Sequence, residues 1–355
     1  MTDEELQKTL LECKTFALEC EIVRLASLIT PDPDYRQAVA RNLLRLRESI
    51  LRAWSSRKGI APPVVDTFGA FEQDTNLRDT EFDVSVRVAP GLTVEERESF
   101  AVQLVELWRS EQCIFANVLD FLASPPAHTA ASRVELSTPS TLKCVAAIFV
   151  GTQDEPTAEG PAKPFLLDSA IKSLCKHFEL ASRFVRLVKL WAGNNDLADQ
   201  HQGYIHSPGW ALISLFFLQT QKYVPSLNAI SKGLVPPTTA PPLLSVLIPE
   251  FFKFLASRES SAQQGLSVAR GEEFLAPASG KLFLEDPVEW QKTGQHKNLL
   301  EGLGETQWAR TLEEAKKAAE RLAVSATRSR WFHWAEVFDP RDVPLIKMQR
   351  MPAMT

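Results

Sequence analysis

The chain has 355 residues, 45% hydrophobic and 23% charged, with a formal net charge of −5. That is the make-up of an ordinary folded protein with ample core, long enough for two domains. The acidic balance excludes a global basic signature for nucleic acid but leaves room for a local basic cleft.

Five cysteines, Cys13, Cys20, Cys113, Cys144 and Cys175, make no CxxC and no Cys/His cluster at zinc spacing. They read as reduced, mostly buried thiols of an intracellular protein. The amino terminus, MTDEELQ, has the pattern of neither a signal peptide nor a transit peptide. The longest apolar run, Trp210 to Leu218, is too short to span a bilayer. A cytoplasmic or organellar protein with no membrane partner is expected.

Residues 3–28 place Leu6, Leu10, Phe16, Val23 and Leu28 near helical spacing, and Thr30-Pro31-Asp32-Pro33 ends that helix. A second helix is expected from about 34 to 56, with Val39, Leu43, Leu46, Ile50 and Trp54 on its apolar face. Its Arg41, Arg45, Arg47, Arg52 and Arg57 form either a basic flank or a solvated face. Ala61 to Asp66 leads into a strand.

The stretch Phe68 to Val86, FGAFEQDTNLRDTEFDVSV, reads as a helix exit, a tight turn, an irregular run and a strand. Gly69 lets the backbone approach a phosphate closely. Glu81 and Asp83 alternate with Phe82 and Val84, so a strand sets both carboxylates on one face. Paired carboxylates beside a glycine turn suit magnesium held against a nucleotide's phosphates.

A helix over 93–112 is capped by Thr93, with Glu95 and Glu96 in its first turn. Residues 113–121 suit a strand or a helix end. Arg133 to Thr138 and Leu142 to Val150 make a hairpin across Pro139-Ser140. The Gly- and Pro-rich run 151–164 is the expected seam between two domains. Beyond it the pattern is helical. Phe165 to Trp191 carries Lys172, Lys176, Arg183, Arg186 and Lys189. A buried helix over 207–223 has Ser207 as cap and Pro208 at its first position. Further helices cover Leu243 to Ala256 and 305–324, and 257–280 is a polar stretch. The six histidines show no pair at metal spacing, and His206 beside Ser207 is the one of functional interest.

Four pieces, in order, resemble the nucleotidyltransferase superfamily, in its non-canonical poly(A) polymerase and terminal uridylyltransferase branch. They are Gly69 with acids twelve and fourteen residues on (Glu81 and Asp83), the Lys-x-Trp-Ala run at Lys189 to Ala192, the helix from Ser207 to Leu218-Gln219, and Leu282-Phe283-Leu284-Glu285-Asp286-Pro287 followed by Asn298. The likeness covers about 35–325.

The resemblance implies an α+β fold in two lobes. A small mixed-sheet nucleotidyltransferase domain (58–155) faces a larger helical poly(A)-polymerase-like domain (1–57 and 160–340) across a cleft, with 341–355 as a tail. It implies a phosphate turn at Gly69 and Ala70, Mg²⁺ (or Mn²⁺) on Glu81 and Asp83, and Lys189 on the phosphates. Ser207 would meet the nucleotide, and Trp210, or alternatively Tyr204, would stack on the base. The partners implied are UTP or ATP and a single-stranded RNA 3′ end. The Glu285-Asp286-Pro287 element is expected to be a helix-capping turn.

Several positions depart from the family's pattern. Ala70 stands where a phosphate-touching serine is usual, and Glu81 replaces an aspartate. The third acid, expected near 144–147, is absent, with Glu135 and Asp154 as poor substitutes. A second lysine four residues after the first is Gly193. Two functions therefore follow: template-independent uridylyl or adenylyl transfer to RNA ends, or a catalytically inactive member serving as a structural or RNA-binding subunit of a larger assembly.

Overall fold

The computed structural model describes residues 3–55, 57, 59–78, 80, 82–88, 92–110, 117–122, 132–137, 145–152, 163–234, 242–259, 264–277, 280–327 and 335–338; over 117–152 it describes the backbone course. In chain order the helices and strands are α1 (Asp3–Ile29), α2 (Pro33–Trp54), β1 (Val64–Phe68), α3 (Gly69–Glu72), β2 (Phe82–Val88), α4 (Val94–Ser110), β3 (Asn117–Leu122), β4 (Ser132–Ser137) and β5 (Val145–Thr152). They continue as α5 (Lys163–Lys176), α6 (Ala181–Asn194), α7 (Ser207–Thr220), α8 (Leu227–Ser231), α9 (Leu244–Ser257), β6 (Gln264–Ser267), β7 (Glu272–Leu275), β8 (Phe283–Leu284), α10 (Pro287–Thr293), α11 (Glu305–Thr327) and α12 (Ala335–Phe338). The chain divides into two compact units, one of residues 30–169 and one of 1–29 with 170–355.

The first unit is built on a mixed sheet of order β1-β2-β5-β4-β3. β2 pairs antiparallel with β1 and parallel with β5, and β4 lies antiparallel between β5 and β3. The alternation in β2 settles its two faces. Phe82, Val84, Val86 and Val88 are buried, while Asp83, Ser85 and Arg87 are half-exposed on the other side. Against the buried face lie Tyr35, Val39, Leu46, Ile50 and Trp54 of α2 and Phe100, Ala101, Leu104 and Val105 of α4. Trp54 meets Phe100 edge-on at 4.8 Å. Each such large side chain taken out of water stabilises by about 1.5–3 kcal/mol.

That packing corrects the expected domain division. The sequence reading assigns 1–57 to the helical domain, but α2's apolar face covers the sheet, so only α1 groups with the later helices. Helix periodicity shows which face is apolar; it does not show what that face covers. The strand expected after Ala61 to Asp66 is β1, and it runs through Phe68, where a helix exit was expected. The capping box of α4 is as expected: Glu96 N–H donates to Thr93 Oγ1 (3.2 Å) and Thr93 N–H to Glu96 Oε2 (2.8 Å). The hairpin forms with β4 and β5 in antiparallel register.

In the second unit, α6, α7 and α9 interleave aromatic side chains. Phe184 stacks on Phe217 at 5.7 Å and meets Phe251 edge-on at 5.5 Å. Ile22, Leu25, Ala26 and Ile29 of α1 are buried, and Glu19 accepts the Ser245 N–H at the start of α9 (2.7 Å). The polar stretch 257–280 contains two strands missed in the sequence; β6 pairs with β7 and with β8 in a small sheet of order β7-β6-β8. Of the three cysteines in described segments, Cys175 is buried, but Cys13 and Cys20 are exposed on α1, contrary to the expectation of mostly buried thiols. Among the described residues no helix is long and apolar enough to cross a membrane.

Candidate functional site

The candidate residues fall into two sets, one in each unit. In the first unit β1 ends at Phe68, and the chain turns sharply at Gly69, whose φ of +70° is left-handed. A Cβ there would lie 2.5 Å from Asp83 Oδ2, so the turn and the acidic face of β2 meet with room for glycine alone. Ala70 follows in the short helix α3. Gly69, Ala70 and Asp83 are therefore neighbours, while Glu81 lies outside the described residues.

The register of the sheet bears on the missing acid. Asp83 pairs with Ala147 of β5, and Ala147 pairs with Glu135 of β4. β5, VAAIFVGT, carries no acid at any position. Glu135 is in the same cross-strand row as Asp83 but two strands away, about 10 Å by the normal spacing. Asp154, the other suggested substitute, lies outside the described residues. Among the described residues no three His, Cys, Asp or Glu side chains group to hold a metal ion. The strand on which the resemblance places a third acid, β5, supplies none.

Gly69 has a partner that the spacing arguments did not supply. Its N–H donates to Oδ2 of Asp168, in the first turns of α5, at 2.7 Å. Asp168 Oδ1 accepts from Gln73 Nε2, also at 2.7 Å, and Gln73 Oε1 accepts from the Thr75 hydroxyl at 3.0 Å. Gln73 and Thr75 are fully buried, and Asp168 is 4% exposed. Asp168 is 99 residues from Gly69 in sequence. The only local signal was a run of polar residues, Gln73-Asp74-Thr75, just after the turn, read above as irregular. Asp74, also left-handed at φ +59°, is held by an ion pair to Arg36.

The basic residues of α2, and Arg57 just beyond its end, divide between two roles. Arg47 Nε donates to the Val65 carbonyl (2.9 Å), and Arg57 lies over the rings of Trp54 and Phe100 at 5.1 Å. Arg41, Arg45 and Arg52 are exposed.

In the second unit Lys189 is buried on α6, 9% exposed, close enough for its charge to act on His206. His206, not Ser207, is the N-cap of α7. Its Nδ1 accepts the Gly209 N–H at 2.9 Å, and its Nε2 faces the Leu299 carbonyl at 3.3 Å. Ser207 is the first helical residue and is exposed. The misreading has a simple cause: serine is the commoner cap, but here the imidazole occupies the capping position and turns its ring back on the helix. Burial pushes the His206 imidazole below its ordinary value, with the nearby Lys189 charge adding to this. The bond to Leu299 and the Asp286 carboxylate act the other way.

Trp210 is not placed as a base platform. It is 1% exposed, edge-on to Trp191 at 5.7 Å, with its indole N–H donating to the Leu197 carbonyl at 3.1 Å. Tyr204 is also enclosed, with its hydroxyl accepting from Arg310 Nη1 at 2.7 Å and the guanidinium over its ring.

The late Glu-Asp-Pro element is a capping turn, as expected. Asp286 Oδ1 accepts from the N–H groups of Val288 (3.0 Å) and Glu289 (3.2 Å) at the start of α10. Glu285 is fully buried and accepts from Ser267, from Arg270 (3.5 Å) and from His296 Nδ1 (2.5 Å). The His296 ring is stacked between Phe274 (4.5 Å) and Trp290 (4.9 Å).

No family model matches the sequence, and no curated protein matches it by sequence. Solved structures do match. mtPAP in complex with UTP aligns over 95% of this chain and 75% of its own, at 13% identity and a TM-score of 0.69. The Cid1 poly(U) polymerase with MgGTP bound aligns over 90% and 98%, at 17% identity and a TM-score of 0.67. Cid1 in complex with its short product ApU gives 16% identity and a TM-score of 0.67. The chain has the fold of these structures, mtPAP and the Cid1 poly(U) polymerase, as the ordered motifs led us to expect.

Proposed function

We propose that this protein is a nucleotidyltransferase-fold chain without transfer chemistry, serving as a structural or RNA-binding subunit of a larger assembly. The observation that carries this reading is the cross-strand partner of Asp83: Ala147, on a strand with no acid. Transfer to an RNA end needs a carboxylate close to the attacking 3′-hydroxyl, and a proton acceptor works only within hydrogen-bond reach, about 2.6–3.2 Å, or through one water. An alanine methyl neither takes that proton nor holds a metal. The exposed Arg41, Arg45 and Arg52 of α2 give RNA a basic surface on an otherwise acidic chain.

A second reading, Mg²⁺-dependent addition of uridylate or adenylate to RNA 3′ ends, is favoured by Asp83 lying directly against the Gly69 turn. One experiment separates the two. The protein is incubated with magnesium, a labelled single-stranded RNA and each nucleoside triphosphate in turn, and retention of the same RNA is measured by gel shift. RNA retention with no extension is expected. Extension with any nucleotide that Asp83→Ala abolishes would overturn the proposal and establish the transferase.

A further inference from the structure

We infer that Asp168 is an internal anion that closes the Gly69 turn to nucleoside triphosphates. The inference rests on the reading of Gly69 as the phosphate turn of the proposed fold-level relative. A turn of that kind serves phosphate through its backbone N–H groups, and the left-handed glycine's N–H is one of them. In this protein the Gly69 N–H is already given to a carboxylate oxygen at 2.7 Å. The bond is charge-assisted, and a phosphoryl oxygen has to displace it to take the same donor.

The carboxylate is not free to swing aside. Its other oxygen is held by Gln73 Nε2 at 2.7 Å, and the Gln73 amide is fixed in turn by the Thr75 hydroxyl at 3.0 Å. All three side chains are buried, so rotating Asp168 away strands polar groups that water does not reach. Asp83 adds a second negative group on the same turn, with Oδ2 filling the space where a Gly69 side chain would begin. A triphosphate entering here meets two carboxylates and, at Ala70, no hydroxyl. Like charges brought this close repel one another.

A purely structural latch and an occluding one predict different behaviour for the neutral variant Asp168→Asn. The asparagine oxygen still accepts the Gly69 N–H, and the Gln73 amide can turn over to accept from the new NH₂. The geometry then survives while the charge is lost. In Asp168→Ser the side chain is too short to reach, and the donor itself is released. The test titrates full-length wild type, Asp168→Asn and Asp168→Ser with UTP and ATP in magnesium, and with inorganic tripolyphosphate as a base-free probe, by calorimetry. Circular dichroism checks the fold of each variant.

A folded variant should bind all three probes at least about tenfold more tightly than wild type. A folded Asp168→Asn or Asp168→Ser that binds no better than wild type would refute the inference. Should both variants fail to fold, the wild-type Gly69 amide resonance decides: no movement with tripolyphosphate supports occlusion, and saturable movement refutes it. Failure here is distinct from failure of the functional proposal, because a chain that neither gains affinity nor extends RNA loses only the occlusion, whereas extension by wild type removes the functional reading itself.

Discussion

His206 offers the sharpest test of how the helical unit is held together. An Nδ1 that accepts the Gly209 N–H carries no proton, so the ring is neutral with its hydrogen on Nε2, facing the Leu299 carbonyl. Protonation would bury a cation, with the Lys189 charge nearby, which is why the folded-state value lies below the ordinary 6.5, and it would set N–H against N–H at the helix start. As pH falls the unfolded chain takes up this proton first. The contribution is therefore whole above about 6.5 and drains away as pH falls through the folded value. His206→Asn keeps an oxygen for Gly209 but loses the bond to Leu299, about 1 kcal/mol. His206→Ala also loses the cap, about 1 kcal/mol more, and leaves space behind, for a total of about 2–3 kcal/mol. Urea unfolding followed from pH 8 to pH 5 should show the advantage of wild type over His206→Asn shrinking with acid. An advantage that is constant or grows over that range would refute the tautomer and the capping role together.

Other residues give further expectations. Gly69→Ala puts a side chain into a left-handed residue and against Asp83, and should cost about 2 kcal/mol or more in urea unfolding followed by Trp54 fluorescence; adding Asp83→Ala should recover part of this, and strict additivity would argue against the contact. Glu285→Ala removes the one acceptor shared by Ser267, Arg270 and His296, and should cost about 3–5 kcal/mol, lowering the melting temperature of the helical unit by roughly 10 °C; a loss below about 1 kcal/mol would mean the cluster is held otherwise. Trp210→Ala should cost about 3–5 kcal/mol; a variant of unchanged stability that selectively lost nucleotide binding would restore Trp210 as a base platform.

Much of the fold was legible because its signals are local. The breaker Pro31-Asp32-Pro33 ends α1 and caps α2, since Asp32 Oδ1 accepts the Asp34 N–H at 2.9 Å. Thr93 and Glu96 announce the start of α4, and the alternation in Phe82 to Val88 announces β2. The failures are failures of range. The Val39, Leu46 and Ile50 stripe of α2 reads the same whether it covers helices or a sheet, and only long-range packing assigns it to the sheet. The strands β6 and β7 are four residues each, too short for period-two alternation to stand out from a polar stretch. His206 was missed as a cap because capping depends on where the ring points, which residue type alone does not fix.

The Gly69 site shows the same limit, and a physical link between its parts. Spacing found Gly69 and Asp83, and their close contact at a left-handed backbone favours glycine. Spacing could not find Asp168, because nothing local marks an acid that folds back across 99 residues. Yet a requirement for such a residue follows from the turn itself. A left-handed turn at the end of β1 presents a half-buried N–H, and that donor must be satisfied by an anion, a carbonyl or water. In a nucleotide-binding protein the ligand fills that role only while it is bound. Where the neighbouring strand offers Ala147 in place of an acid, the turn gains nothing from a transient anion, and a permanent one stabilises it at all times. Asp168 supplies that anion, and the buried Gln73 and Thr75 hold it in place. The absent acid on β5 and the occupied N–H of Gly69 thus point in the same direction. A left-handed turn of this kind can remain folded without a bound anion, provided that the chain contributes a carboxylate of its own.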